Sequence, residues 1–388
     1  MSDVGGPDGA TLAVPPRPTP VPAWRRPATY LQFVIGGVFG AAGVLTIKAL
    51  MAHASGLEMA LFAVAVFPAA WLHLLIHEAG HALAGWAGGQ HVAAVGLGPW
   101  RVERGSGGWR VHKADHVQGI GGFALVVPRR ETVSTLERSA YLLGGLLANL
   151  LAAAVVAALS ASLGLDGGLG ALFGLFALVG VVIGVVNLLP FQSGGWSSDG
   201  RQLLALWQGW PEARVAESMN RWAALAMLGV RPRDWPEARL AVDEAALPQA
   251  IADTLQRTRL LVAVDRGEAR GPAALEAAQA LVAGFWRGPD GLRQLNAGLL
   301  AAWQLKRGAS PDAVEAWIAE SEGGLLDQTA HRAWLRAAVA LLRGDTPEAL
   351  ARLGAARAAL PRVIDPASRA MLVEELALLS ERLGVKDA

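Results

Sequence analysis

The chain has 388 residues, 53% of them hydrophobic and only 17% charged, with a positive mean hydropathy, which is more apolar than an ordinary soluble domain. Its formal net charge of +1, with basic residues scattered along the chain, argues against a nucleic-acid partner, which calls for a basic face. It contains no cysteine, so disulfide frameworks and thiolate-ligated metals are excluded and any metal must sit on His, Asp or Glu.

In chain order, residues 1–29 hold seven prolines and few large apolar side chains, the composition of a disordered cytoplasmic tail. Residues 31–50 form an apolar run of the length a helix needs to cross a bilayer, and a second run covers 57–86. The second run carries His73, His77, Glu78 and His81; polar groups at that depth mark a functional site. Short strands are expected at Trp100–Arg104 and Trp109–Lys113, making a β-hairpin around Gly105-Ser106-Gly107-Gly108 within a loop spanning 96–127. Two more spans follow at 141–163 and 169–189. The last has small residues four apart, Gly170 with Gly174 and Gly180 with Gly184, which let helices approach closely in lipid.

Arg17, Arg25 and Arg26 precede the first span, and seven basic residues from Arg101 to Arg138 lie between the second and third. The connections after the first and third spans have no Lys or Arg. The positive-inside rule then gives four spans with both termini and the hairpin loop in the cytoplasm. Heavy use of Ala, Gly, Arg and Leu suggests a GC-rich bacterial gene, hence the inner membrane. From Pro211 onward the pattern is soluble and helical. Pro236, Pro272, Pro311 and Pro347 each follow a glycine (Gly229, Gly267, Gly308, Gly344), the spacing of stacked helical hairpins. The expected architecture is α-helical throughout: a membrane domain over 30–210 with a small β insertion, then a soluble helical-repeat domain over 211–388 resembling tetratricopeptide arrays.

On a helix, His77 and His81 are four apart and share a face, so both imidazoles reach one tetrahedral zinc, with Glu78 beside it toward the attacking water. A catalytic zinc needs a third protein ligand. The glycine-rich break after the last span offers Asp199, whose competing reading is an N-cap for the helix that follows. His73, one turn before His77 and on the same face, is placed to be a further ligand, but reads rather as a cavity-lining residue or as one that satisfies a backbone carbonyl.

The pair H-E-x-x-H in one span and Asn187-x-x-Pro190 followed by Asp199-Gly200 in a later one resembles the site-2 protease family of intramembrane metalloproteases. Gly145-Leu146-Leu147-Ala148-Asn149 is similar to that family's G-P-x-x-N signature. The resemblance implies a zinc endopeptidase that cuts transmembrane segments of substrate proteins. It also implies that Asp199 is the third ligand, that Glu78 is the general base, and that Asn149, Asn187, Pro190 and Gly200 support substrate or site. Its partners would be a single-span substrate, membrane lipid and a protein bound by the helical repeats. An edge strand of the hairpin would clamp the unwound substrate. The rival from another class is a silent membrane scaffold that recruits partners through the repeats, against which the intact Glu78 argues.

Overall fold

The computed structural model describes residues 11–19, 55–114, 121–193, 195–236 and 246–385. The first expected span, 31–50, lies outside the described residues. Three helices within them are long and apolar enough to cross a membrane: α1 (Gly56–Ala87), α2 (Thr135–Ser162) and α3 (Gly167–Leu188). At most 28% of each one's apolar window is buried inside the protein, so most of that surface is left for lipid. This is a membrane protein. Helix α2 begins six residues ahead of the apolar run because Ser134 and Glu137 form a reciprocal capping box, which starts the helix in polar sequence.

Glycines set how closely these helices pack. A methyl group on Gly80 of α1 would lie 2.6 Å from the Ala148 Cβ of α2, and one on Gly144 would lie 2.8 Å from Ala84. Helix α3 brings Gly180 against the His73 ring and Gly184 within ordinary contact of Asn149. Small residues thus bring the backbones together around polar side chains.

Between α1 and α2 lies a four-stranded antiparallel sheet, larger than the single hairpin expected. Strands β2 (Trp100–Gly105) and β3 (Gly108–Lys113) are the predicted pair, extended by β1 (His91–Leu97) and β4 (Gly122–Val127) in the order β3-β2-β1-β4. Strand β1 alternates poorly because a bulge falls between Val92 and Ala94, and bulges break the period-2 pattern by which strands are read.

After α3, two-residue strands β5 (Gln192–Ser193) and β6 (Trp196–Ser197) fold the glycine-rich break back on itself. Helices α4 (Asp199–Gln208) and α5 (Pro211–Met227) follow. The remaining helices are α6 (Gln249–Asp265), α7 (Pro272–Gly284), α8 (Leu292–Arg307), α9 (Pro311–Glu320), α10 (Thr329–Leu342), α11 (Thr346–Ala359) and α12 (Pro366–Arg382). They pack as α6 with α7, α8 with α9 and α10 with α11. Pro272, Pro311 and Pro347 sit in first turns, and Gly267, Gly308 and Gly344 take positive φ between the paired helices or just before the next one. Pro236 opens no described helix; 237–245 lie outside the described residues. The core of this part is built around Trp303, Trp317, Phe285 and Leu300.

The sheet touches the helical part at its hairpin turn. Gly107 N–H donates to the Pro361 carbonyl at 3.3 Å, and Arg110 of β3 pairs with Asp327 ahead of α10. Within the expected disordered tail, the described residues 11–19 form no helix or strand but pack on the helical part through Leu12 and Val14. Counting apolar residues inside the tail misses this, because Leu12 and Val14 find their apolar partners elsewhere in the chain.

Candidate metal centre

His73, His77, Glu78 and His81 lie along one stretch of α1, and all are at most 7% exposed. Asp199 comes from the first turn of α4, beyond the break that follows α3. Its position follows from Ser198, which is the N-cap of α4: Ser198 Oγ accepts from Arg201 N–H at 3.2 Å and donates to the Leu189 carbonyl at 2.6 Å. The capping role read for Asp199 therefore belongs to its neighbour, and the Asp199 carboxylate is left to face the histidines. Gly200 has no room for a side chain, because a Cβ there would run into the Leu188 backbone.

Three atoms converge. His77 Nε2 lies 3.1 Å from Asp199 Oδ2 and 3.1 Å from His81 Nε2, and His81 Nε2 lies 3.3 Å from Asp199 Oδ2. A tetrahedral ion bonded at about 2.0–2.1 Å to each atom requires ligand separations of about 3.3–3.4 Å, so the triangle fits one. The donor chemistry agrees. His81 Nδ1–H donates to the Tyr141 carbonyl at 2.7 Å, which leaves a lone pair on its Nε2. The Asp199 carboxyl presents Oδ2 to both imidazoles, and an aspartate is ordinarily ionised at neutral pH. A lone pair and a carboxylate oxygen this close call for a cation between them. His77, His81 and Asp199 could hold a metal ion.

Behind this cluster the fully buried Asn149 of α2 bridges two rings. Its Oδ1 lies 3.1 Å from His73 Nδ1 and its Nδ2 lies 3.3 Å from His77 Nδ1. His73 Nε2–H donates to the Phe176 carbonyl at 2.9 Å, so a neutral His73 presents an acceptor to Asn149. A half-turn of the amide satisfies both rings: Nδ2 donates to His73, and Oδ1 accepts from His77 Nδ1–H. His77 Nε2 then carries a lone pair toward His81 and Asp199. Gly145 makes the packing possible, since a methyl there would lie 2.6 Å from His81 Nε2.

Glu78 reaches the sheet. A methyl on Gly122, at the start of β4, would lie 2.8 Å from Glu78 Cγ. The sheet edge that meets Glu78 is therefore β4; the hairpin expected to lend an edge strand as clamp has its turn, at Gly107, docked on the helical part. Asn187 donates to the Ile183 carbonyl one turn back at 3.0 Å and has no described contact with the cluster, while Pro190 follows the end of α3. The reading of His73 as a residue that satisfies a backbone carbonyl fits its bond to Phe176, whereas its partnership with Asn149 depends on a contact 76 residues away. A second group, Glu103, His112 and Asp327, also gathers ligand atoms, but the Arg110 guanidinium pairs with both carboxylates there and makes it an ion-pair junction.

Comparison with protein-family models, characterised proteins and solved structures finds no match, so the functional reading rests on these residues.

Proposed function

We propose that this protein is an intramembrane zinc metalloprotease of the site-2 protease type, which hydrolyses peptide bonds in or near transmembrane segments of other proteins. The observation that carries the reading is the convergence of His77 Nε2, His81 Nε2 and Asp199 Oδ2 within 3.3 Å of one another, with the Glu78 carboxylate next in sequence inside an apolar bundle.

His77, His81 and Asp199 would hold zinc, leaving a fourth position open as catalytic sites do. Bound there, zinc supplies Lewis-acid polarisation of the scissile carbonyl and makes water more acidic. Glu78 takes the proton of the attacking water and returns it to the leaving amide nitrogen. Asn149 and the Tyr141 carbonyl hold the two imidazoles in the tautomers that expose Nε2, as outer partners of metal-binding histidines do. Strand β4, beside Glu78, offers an edge on which an unwound substrate segment pairs as an added strand. The membrane is the bacterial inner membrane, with the sheet and the helical repeats on the cytoplasmic side, as the basic residues flanking the spans indicate.

The test is cleavage of a labelled single-span substrate by the purified protein in detergent, before and after chelation. The proposal expects cleavage to stop on chelation and return with stoichiometric zinc. Cleavage that persists in a metal-free preparation removes it.

A further inference from the structure

Residues 11–19 lie against the helical part, and what holds them is specific. The indole N–H of Trp317 and the amide of Gln304 both donate to the Leu12 carbonyl, at 2.7 Å and 2.8 Å. The indole N–H of Trp286 donates to the Pro15 carbonyl at 2.8 Å. Trp317 and Gln304 are at most 1% exposed, so a single backbone oxygen, with its two lone pairs, satisfies two buried donors. Leu12 and Val14 are partly buried and pack on the apolar core. Arg17 lies over the Trp286 ring, 4.9 Å from its centroid.

Among the described hydrogen bonds the segment acts only as an acceptor. Every donor belongs to the helical part, and the run Val14-Pro15-Pro16-Arg17-Pro18 gives up no N–H that the site needs. Indole and amide donors to backbone carbonyls, beside an apolar core that takes aliphatic side chains, are what a surface that recognises extended proline-rich chains provides. Such chains lose little entropy on binding because proline has already fixed the backbone.

We propose that the groove built from Trp286, Gln304 and Trp317 is a recognition site for extended proline-rich peptides. The protein's own residues 11–19 occupy it in cis, and a partner protein's segment of the same chemistry replaces them. Three hydrogen bonds and two half-buried aliphatic side chains make a weak site, so occupancy in cis depends on the effective concentration, on the order of mM, that covalent attachment supplies. A partner displaces the tail when its own local concentration or extra contacts exceed that. The inference is independent of the reading of the metal centre.

The test uses the full chain in detergent and a fluorescent peptide with the sequence of residues 10–19. Leu12→Asp with Val14→Asp frees the groove, and this variant should bind the peptide at least tenfold more tightly than wild type. Adding Trp317→Phe, which keeps an aromatic ring and removes the N–H donor, should weaken that binding roughly threefold to tenfold. No peptide binding by the folded double variant, or binding indifferent to Trp317→Phe, overturns the proposal. Should the double variant not fold, a dye on Thr19→Cys reports on the otherwise wild-type chain, which has no other cysteine. Excess unlabelled peptide should lower the dye's anisotropy, and an unchanged anisotropy overturns the proposal equally.

Discussion

The side chain of Asn149 stands 3.3 Å from the Nδ1 of His77, on the side of the ring opposite the convergent cluster. It therefore governs which nitrogen of His77 carries the proton. Asn149→Leu should leave the bundle packed but weaken zinc binding, by about 10- to 100-fold as for other outer partners of metal-binding histidines. Competition with a chromophoric chelator measures this, and an unchanged affinity would show that the amide does not set the tautomer.

Gly145 is a second positioning element, and it acts by absence. A methyl at this position meets His81 Nε2 at 2.6 Å, and in an α1–α2 contact already closed by Gly80 and Gly144 neither helix can retreat cheaply. Gly145→Ala should abolish stoichiometric zinc while the protein still inserts in the membrane. Full zinc content in that variant would mean the rings have room that the packing denies.

At the sheet edge, Gly122→Ala places its methyl 2.8 Å from Glu78 Cγ and should turn the carboxylate away from the cluster. Turnover should fall at least tenfold, in line with what a positioned general base contributes, while zinc content stays at the wild-type level. Equal loss of zinc and activity would instead indicate a general collapse of the site.

Away from the membrane, Asp253 of α6 gives a pH dependence of known sign. Burial pushes its carboxyl up to about 6, against the pull of Gln249, Arg257 and Arg287. The folded chain thus holds this proton more tightly than the unfolded chain. The stabilisation is complete below the ordinary value of 3.8 and is lost as pH rises through about 6. Asp253→Asn, which cannot ionise, should stabilise the helical part by roughly 2–3 kcal/mol at pH 7.5 and by nothing at pH 3.5. Thermal unfolding followed by circular dichroism at the two pH values checks it; a difference that grows toward acid pH would contradict the assignment.

What could be read in the sequence was what is local. His77 and His81 fall on one helical face by their spacing, and apolar runs near twenty residues announce α1, α2 and α3. The hairpin strands β2 and β3 follow from alternation on either side of a glycine turn. Strands β1 and β4 did not, because a bulge spoils one and the other pairs across the loop rather than with its neighbour. The N-cap was misread by one residue: Ser198 and Asp199 are both good capping types, and only the closure of the loop onto Leu189 decides between them. The contacts of Asn149 with His73 and of the tail with Trp317 join residues 76 and 305 positions apart, and no local pattern encodes such pairs.

The central claim is that His77, His81 and Asp199 hold zinc for Glu78 to work beside. Glu78→Gln keeps the side chain's shape and removes its ability to take a proton, so zinc content and cleavage of a labelled single-span substrate, measured together on this variant, test the claim directly. The account predicts one zinc per chain with cleavage lost. Cleavage that survives in Glu78→Gln, or a wild-type protein that purifies without zinc and cannot be loaded, would contradict it.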